Sequence, residues 1–205
     1  MSDPVRIALI DDDAAVLDSL RLYLLRQNLD TSCFSSAEGF LSSLDSAARF
    51  DCVVSDVRMP GMSGLELLDR LSVRGVRSPV ILITGHGDVD MAVKAMKAGA
   101  FDFVEKPFDE THLLESIRNS LERNRKQARD TAEMDDLRTK FGALSARQRQ
   151  VMELAASGLS SKEIARQLEI SAKTVENHRA WVMERIGARN LAELVRIAMK
   201  IERGP

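Results

Sequence analysis

Residues 52–64 read CVVSDVRMPGMSG, a short apolar run that ends at an aspartate and is followed by a loop with proline and glycine. Four other runs of four to six residues also end near polar or charged residues, and leucine and alanine recur between them at helical spacing; these runs are 5–10, 31–34, 80–83 and 101–104. Short strands that alternate with helices predict βαβ units and a parallel sheet covered on both faces. We therefore expect an α/β fold with a doubly wound (βα)5 sheet.

The pattern changes after residue 121, where the strand-like runs stop. Residues 122–140 hold 11 charged residues out of 19 and no sustained apolar stripe, which favours a linker that continues the preceding helix. Beyond residue 144 the apolar patterns are helical, and segments 145–148 and 160–163 fit the capping box of a helix start. We expect an α/β domain over 1–122, a charged helical linker over 123–140 and an all-α domain over 141–205.

Charge is distributed unevenly between the two parts of the chain. Residues 1–120 carry 19 acidic and 12 basic residues, a net charge of -7, whereas residues 121–205 carry 12 and 17, a net charge of +5, which together give the -2 of the whole chain. This asymmetry indicates two domains with different partners, and the basic domain is compatible with nucleic acid.

The composition excludes several classes of protein. Aromatic residues are only 4% of the chain, which disfavours a single-strand binder built on base stacking. No apolar run reaches the length of about 18 residues that a membrane span needs, and no secretory signal precedes Asp11, so we expect a cytoplasmic protein without a membrane partner. Cys33 and Cys52 are then expected to be reduced thiols, and no histidine spacing supports a zinc finger.

Polar residues follow four of the predicted strands at their carboxyl ends, namely Asp11, Asp12, Asp56, Thr84 and Lys106. Function collects at this edge of an open parallel sheet, so these side chains are expected to converge. Three carboxylates in one crevice repel each other unless a hard cation such as Mg²⁺ neutralises them. Lys106 and Thr84 would orient a phosphoryl group, and Asp56 would accept it as a nucleophile. The alternative for any single aspartate is that it caps the next helix.

Residues 3–122 resemble the receiver domain of bacterial two-component response regulators. Four motifs in the right order carry this resemblance: IDD at 10–12, SDVRMPGMSG at 55–64, ITG at 83–85 and FVEKPF at 103–108. The resemblance implies that Asp56 takes the phosphoryl group from a histidine kinase. It also implies a cis peptide bond between residues 106 and 107.

The resemblance further implies a magnesium site. Mg²⁺ would be held by Asp12 and Asp56, by Asp11 through a water molecule, and by the backbone carbonyl of Arg58.

The remaining positions of the receiver pattern imply a conformational switch and residues that control the lifetime of the phosphoryl group. Thr84 and Lys106 would bind phosphate oxygens, and Phe103 would rotate inward when Thr84 moves toward the phosphate. Phenylalanine has no hydroxyl group, so burial alone would drive this rotation. Arg58 and His86 stand at the positions that set the lifetime of the phosphoryl group in this family.

One enzyme family offers an alternative. An Asp-x-Asp motif after an apolar strand, here Asp11 to Asp13, is typical of haloacid-dehalogenase phosphatases, in which the first aspartate is the nucleophile. Those enzymes normally carry threonine or valine two residues after the second aspartate, where this chain has Ala15. The order of the other motifs fits a receiver better, so we expect a phosphoryl acceptor and not a turnover enzyme.

A helix-turn-helix is predicted in the basic part of the chain. A short helix over 162–168 is followed by a turn and a longer helix over 172–186. One apolar face would be shared by both helices; it comprises Ile164, Leu168, Val175, Val182 and Ile186. The alternative is a small helical bundle with a solvated charged face.

If the longer helix enters the major groove, its polar residues fall into two groups. The residues that would contact base edges are Lys173, Glu176, Asn177 and Ala180. Phosphates would be contacted by Lys162, Thr174, His178 and Arg179.

Residues 140–202 resemble the LuxR-type four-helix DNA-binding domain, through the segments 144–158, 161–165 and 171–178. Glu153 and Glu163 correspond to structural acids of that domain, and Trp181 receives no role. A receiver joined to a LuxR-type domain resembles the NarL/FixJ family, and its nitrogen-fixation branch in particular. That branch implies the haem oxygen sensor FixL as the histidine kinase, promoter DNA and RNA polymerase as further partners, and nitrogen-fixation or microaerobic genes as targets.

The expected mechanism links the two domains. Phosphorylation of Asp56 would shift Thr84 and Phe103 and remodel the surface of residues 90–121, which would then favour a homodimer that pairs two DNA-binding domains. Release of a shielded recognition helix is an alternative route. A phosphorylation-independent DNA-binding regulator that merely keeps the receiver scaffold, and an RNA-binding module, are the competing hypotheses.

Overall fold

The computed structural model describes residues 5–45, 48–85 and 89–202. The chain divides into two compact units, Met1–Gln127 and Ala128–Pro205. The strands of the first unit are β1 (Arg6–Ile10), β2 (Asp30–Phe34), β3 (Cys52–Asp56), β4 (Val80–Thr84) and β5 (Asp102–Glu105). All pair in parallel, in the order β2-β1-β3-β4-β5. The predicted α/β class with a doubly wound five-stranded sheet is confirmed.

Helices connect the strands and cover both faces of the sheet. They are α1 (Ala14–Arg26), α2 (Ala37–Asp45), α3 (Gly64–Val73), α4 (Val89–Lys97) and α5 (Glu110–Gly142). Successive strand residues point to opposite faces, so Ala8 and Ile10 of β1 pack with α2 to α4, while Ile7 and Leu9 pack with α1 and α5. Both faces are therefore buried, which explains why the three inner strands β1, β3 and β4 have consecutive apolar residues instead of alternating ones.

The strand order determines where the candidate site lies. Neighbouring connections leave the sheet in opposite directions where β1 lies beside β3, and a crevice opens there at the carboxyl ends of the strands. Asp11 directly follows β1, and Asp56 is the last residue of β3. The register pairs Ile10 with Ser55, so the two aspartates are brought to the same level of the sheet edge.

The helix that follows β5 is long. α5 runs for 33 residues, and the charged segment 122–140 is part of it. Leu113 and Ile117 belong to the core beneath the sheet, and Leu137 belongs to a core of the second unit. From residue 122 to residue 133 every position except Asn124 is exposed. Its charged composition, which the sequence analysis attributed to a linker, is that of a helix in contact with solvent along this stretch.

The second unit contains α6 (Ala146–Ala156), α7 (Ser161–Leu168), α8 (Ala172–Ile186) and α9 (Leu191–Glu202). Both predicted capping boxes are present, at Ser145 and at Ser160. The predicted shared apolar face is divided between two cores: Ile164 and Val175 lie in one, and Val182 and Ile186 lie in the other. A 15-residue helix makes about four turns, so its two ends pack against different neighbours.

One residue of the helix-turn-helix has a strained backbone. α7 ends at Glu169 with φ 53° and ψ 43°, the left-handed region that glycine adopts without a Cβ clash. We expect Glu169→Gly to stabilise the second unit by about 0.5 to 1 kcal/mol. Thermal unfolding followed by the fluorescence of Trp181, the single tryptophan, measures this.

Arg166→Gly, inside α7, is the matched control and should destabilise the same unit by about 1 kcal/mol. A Glu169→Gly variant that unfolds at a lower temperature than the parent would show that the glutamate side chain contributes more than its backbone costs.

Two predictions made from composition concern the state of the cysteines and the presence of membrane-spanning helices. Cys33 and Cys52 are both free thiols, and burial raises the pKa of the Cys52 thiol to about 12 against the lowering effect of its hydrogen bond with Ser120. Within residues 5–45, 48–85 and 89–202, we find no helix with the length and apolar character required to cross a membrane.

Candidate phosphoryl-transfer and DNA-binding sites

Asp56 is held in a buried position at the end of the central strand. Only 7% of the residue is exposed. Its Oδ2 accepts a 2.6 Å hydrogen bond from the backbone N–H of Arg58, and its Oδ1 accepts one of 2.8 Å from Lys106 Nζ. The carboxylate is thus oriented by the loop that follows it and by a cation from another strand.

Lys106 joins the ends of three strands. Its ammonium group donates to Asp56 Oδ1 at 2.8 Å and to Asp11 Oδ2 at 2.9 Å, and its backbone N–H donates to the carbonyl of Thr84 at 2.7 Å. Burial alone would lower the pKa of Lys106, but the hydrogen bonds to Asp56 and Asp11 outweigh it and raise the pKa above its ordinary value. A raised pKa favours the charged form, so Lys106 is a permanent cation at neutral pH. The peptide bond to Pro107 is cis, as expected.

The three consecutive aspartates after β1 have different environments. Asp11 is buried, and its Oδ1 accepts the backbone N–H of Asp13 at 2.9 Å. Asp12 is exposed. Asp13 is the N-cap of α1 and accepts the N–H of Ala15 at 2.8 Å. The helix-capping alternative therefore applies to Asp13, whereas Asp11 and Asp56 both face the lysine.

The oxygen atoms around Asp56 match the chemistry of a hard cation. In the part of the chain that the structure describes, no cluster of three or more His, Cys, Asp or Glu side chains is arranged to hold a metal ion. The structure brings Asp11 and Asp56 together around Lys106, whereas Asp12, the next residue in the chain after Asp11, is exposed. Carboxylate and backbone carbonyl oxygens are the donors that Mg²⁺ prefers, so this donor set fits the ion.

Thr84 and Phe103 occupy neighbouring strands. Thr84 is fully buried at the end of β4. Phe103 on β5 is half-buried and packs against the core on the α2 to α4 face. Its backbone N–H donates to Asp102 Oδ1 at 2.8 Å, and Asp102 Oδ2 accepts from Ser116 Oγ of α5 at 2.6 Å. The side chain of Phe103 is thus partly exposed, and Asp102 links its backbone to α5.

The two predicted lifetime positions differ in what the structure shows. The side chain of Arg58 is exposed next to Asp56. His86 lies outside the described residues.

Gly64 is required by close packing against the backbone of Asp56. A methyl group added at Gly64 would overlap the backbone carbonyl oxygen of Asp56 and lie 3.1 Å from Val57 Cα. We expect Gly64→Ala to destabilise the first unit by about 1 to 3 kcal/mol and to slow labelling of the predicted acceptor, because the backbone of Asp56 must shift. Calorimetric unfolding and the rate of labelling by a small phosphodonor measure both effects.

The control for this change is Gly142→Ala, since a methyl group at Gly142 meets no atom within 4 Å. Equal labelling rates for Gly64→Ala and the parent would show that the backbone of Asp56 tolerates the shift.

A residue that the sequence analysis missed supports the loop after Asp56. Glu38 on α2 accepts the backbone N–H of Met62 through Oε1 at 3.0 Å. The sequence does carry a signal for α2, namely Ser36 followed by apolar residues at helical spacing. In the structure Ser36 Oγ accepts the backbone N–H of Gly39. The contact itself joins residues 24 positions apart and has no local signal.

The predicted base-contacting residues lie on one exposed side of α8. Lys173, Glu176 and Asn177 are exposed, and Lys173 Nζ lies 3.6 Å from Glu176 Oε2. Such a pair on the surface contributes little stability and leaves both groups available to a partner. Ala180 is exposed on the same helix.

The predicted phosphate-contacting residues are less uniform. Lys162 is exposed, and His178 is half-buried. Thr174 Oγ1 shares a 2.8 Å hydrogen bond with Ser171 Oγ at the start of α8. Arg179 donates from Nη1 to Ser161 Oγ at 3.0 Å, so in this structure it joins α8 to the start of α7.

A second arginine, missed in the sequence analysis, fixes the other end of α7. Arg147 on α6 donates from Nη2 to the backbone carbonyl of Leu168 at 2.7 Å and from Nη1 to Gln150 at 3.3 Å. The last carbonyls of a helix lack partners within the helix and carry partial negative charge, so a guanidinium group satisfies them well. α7 is therefore held at its beginning by α8 and at its end by α6.

Comparison with known proteins places both units in characterised families. Residues 7–118 match the response regulator receiver domain, and residues 142–198 match the bacterial regulatory proteins of the luxR family. The chain is 44% identical over 200 residues to the transcriptional regulatory protein FixJ of Bradyrhizobium diazoefficiens, an alignment that covers 98% of this chain and 97% of that protein. It is 43% identical over 199 residues to FixJ of Rhizobium meliloti, with 97% of each covered.

The chain is also similar in structure to solved response regulators. The response regulator StyR has a TM-score of 0.80 and 39% identity, with 96% of this chain and 98% of that chain covered. Full-length FixJ from B. japonicum has a TM-score of 0.62 and 43% identity over the whole of both chains. Because both domain models and full-length relatives match, the chain belongs to the NarL/FixJ family: it is a two-component response regulator that controls transcription through a luxR-type DNA-binding domain, and it is not a turnover enzyme.

Proposed function

We propose that Asp56 accepts a phosphoryl group from a phosphohistidine of the partner kinase. A carboxylate oxygen of Asp56 attacks phosphorus and the P–N bond breaks; its electron pair stays on the histidine nitrogen, so that a phosphohistidine protonated on its other ring nitrogen leaves as neutral imidazole. The observation that carries this proposal is the single ammonium group of Lys106 hydrogen-bonded to both Asp56 and Asp11. Lys106 and Thr84 would bind the phosphate oxygens. Thr84 is the last residue of β4, which pairs with β3, and Lys106 directly follows β5, which pairs with β4.

Mg²⁺ is part of this proposal. Asp11, Asp12, Asp56 and the backbone carbonyl of Arg58 would hold the ion, which would neutralise the carboxylates and the incoming phosphoryl group. The exposure of Asp12 supports this assignment because it leaves the carboxylate next to Asp11 in the chain accessible to a cation. Arg58 is exposed beside the acceptor, where it would limit the approach of hydrolytic water, and the same role is proposed for His86.

Phosphorylation would then act on α4 and β5. It replaces the single negative charge of the Asp56 carboxylate with a phosphoryl group of about 1.5 to 2 negative charges, whose oxygens would attract Thr84 and let Phe103 turn into the space behind it. α4 presents an apolar stripe to solvent, with Val89 79%, Val93 43% and Met96 50% exposed at positions one turn apart. We propose that the remodelled α4–β5–α5 surface makes the homodimer, with dimerisation as the dominant route to activation.

This proposal predicts a variant that is phosphorylated but stays monomeric. In Val93→Glu a carboxylate would be buried without a partner in the dimer, which should weaken dimerisation about a hundredfold or more while labelling of Asp56 continues. Val73→Glu is the matched control, because Val73 is 89% exposed on α3, away from the stripe. Sedimentation of both phosphorylated variants gives the answer, and dimers of Val93→Glu as stable as the parent's would refute this surface.

For DNA binding we propose that α8 enters the major groove. Lys173, Glu176 and Asn177 would contact bases from their exposed side of the helix, and Lys162, with Thr174 and His178, would contact phosphates. Arg179 joins these phosphate contacts in the sequence-based prediction, but its bond to Ser161 favours a role in holding α8 against α7.

The cellular setting is proposed by analogy with the FixJ relatives. The kinase would be the haem oxygen sensor FixL, the targets would be promoters of nitrogen-fixation or microaerobic genes, and RNA polymerase would be recruited there in the cytoplasm. One experiment tests the core of the proposal: incubation with acetyl phosphate and Mg²⁺, mapping of the label, and measurement of dimerisation in the same sample. DNA binding that does not respond to phosphodonor would instead favour the phosphorylation-independent hypothesis.

A further inference from the structure

A basic groove lies at the edge of the sheet opposite to Asp56. It consists of two adjoining depressions of about 490 and 850 Å³ that share the wall formed by residues 76–78 and Asn124. It opens where β1, β3 and β4 begin, whereas the phosphorylation pocket lies where they end. Each depression falls in the range of about 300 to 1,000 Å³ that is usual for small-molecule sites.

Four arginines line this groove: Arg6, Arg49, Arg77 and Arg123. Asp51 is the acidic residue that lines it with them, and its carboxylate already accepts the backbone N–H of Arg6 at 2.9 Å. Among the residues that the structure describes, these four guanidinium groups form no ion pair. Residues 1–120 have a net charge of -7, so the groove reverses the charge of the domain that carries it.

Two of the guanidinium groups are positioned by aromatic rings. Arg6 lies over Phe50 with 5.3 Å from Cζ to the ring centroid, and Arg123 lies over Phe101 at 5.8 Å. Stacking on a ring limits the conformational freedom of the side chain while its N–H groups remain able to donate. Arg77 lines both depressions and therefore stands between the two stacked arginines.

We propose that this groove binds a nucleoside di- or triphosphate. Planar guanidinium groups donate paired hydrogen bonds to phosphate oxygens, and several of them around one concavity suit a chain of phosphates. Asn124 supplies an amide group, and Pro79 and Ala100 supply apolar surface for the rest of the ligand. Arg123 and Asn124 belong to α5, the helix that continues into the second unit, so the ligand would contact the connection between receiver and output. The proposal does not depend on the chemistry at Asp56.

The test is calorimetric titration of the full chain with ATP, GTP and tripolyphosphate in buffer containing EDTA. Without Mg²⁺ the acidic pocket at Asp56 repels these anions, and loss of binding in the groove variants separates the groove from the basic residues of the second unit. We expect saturable binding that Arg77→Ala weakens about tenfold to a hundredfold and that Arg77→Lys restores only in part. Tighter binding of the nucleotides than of tripolyphosphate would assign recognition to the whole nucleotide, and equal binding would assign it to the phosphate chain.

Arg70→Ala is the matched control, since Arg70 is an exposed arginine of α3 outside the groove. Arg49→Ala provides a second groove variant in case Arg77→Ala affects folding, which circular dichroism will show. The proposal fails if none of the three anions binds at millimolar concentration. It fails equally if binding survives both groove substitutions, or if Arg70→Ala weakens it as much as they do.

Discussion

Replacing Asp56 with asparagine is expected to abolish phosphoryl transfer to the chain and with it every response to phosphodonor. An amide oxygen is not a competent nucleophile toward phosphorus, so labelling should fall to background. Dimerisation and the rise in DNA affinity that depend on acetyl phosphate should be lost as well. The fold should survive, because Lys106 keeps its 2.9 Å contact with Asp11 and the repulsion between the two carboxylates is removed.

The structure supplies an unusually close control for this change. Asp13 lies two residues beyond Asp11, and its function is to cap α1. Asparagine is as good an N-cap as aspartate, so Asp13→Asn changes the charge of the region without disturbing the helix. It should be labelled at nearly the parental rate. Labelling of Asp56→Asn at the parental level would place the acceptor elsewhere, and loss of labelling in both variants would point to general electrostatics.

The strand ends were predictable from the sequence because they follow from a rule of chain direction. All strands of a parallel sheet end at the same edge, so residues directly after apolar runs are brought together whatever their separation in the chain. Asp56 and Lys106 are 50 positions apart in the chain, yet Lys106 Nζ lies 2.8 Å from Asp56 Oδ1. The boundaries of α8 were also predictable, since a serine cap and a glycine end mark them.

What escaped prediction depends on tertiary contacts. Nothing in the sequence of three consecutive aspartates tells which one is buried, because that is decided by the loop conformation in which Asp11 accepts the N–H of Asp13. Glu38 and Arg147 each contact a backbone group more than 20 residues away. A single polar residue on a helix surface has no periodicity that would identify such a partner. The charged face of α7 and α8 was accordingly assigned to DNA or to solvent, and the bond of Arg179 to Ser161 was not foreseen.

Arg147 leads to the second large effect, which concerns DNA and not phosphate. Arg147→Ala would leave the carbonyl end of α7 without its cationic partner and loosen the turn that orients α8. A hydrogen bond to a charged group contributes about 1.5 to 3 kcal/mol, so specific DNA binding should weaken about tenfold to a hundredfold. Binding to non-specific DNA should change much less, because non-specific binding depends on phosphate contacts and not on the angle of the recognition helix.

The salt dependence of binding separates this positioning role from direct contact with DNA. Lys162→Ala, which removes an exposed cation at the start of α7, should weaken binding to all sequences alike and lower the slope of log K against log salt by about 1. Arg147→Ala should keep the parental slope and lose specificity. Titration of DNA at protein concentrations well above the dissociation constant measures the active fraction of each variant, and the fluorescence of Trp181 checks folding. A reduced slope in Arg147→Ala would mean that this arginine reaches the phosphates itself, and the same measurement on Arg179→Ala decides between its bond to Ser161 and a DNA contact.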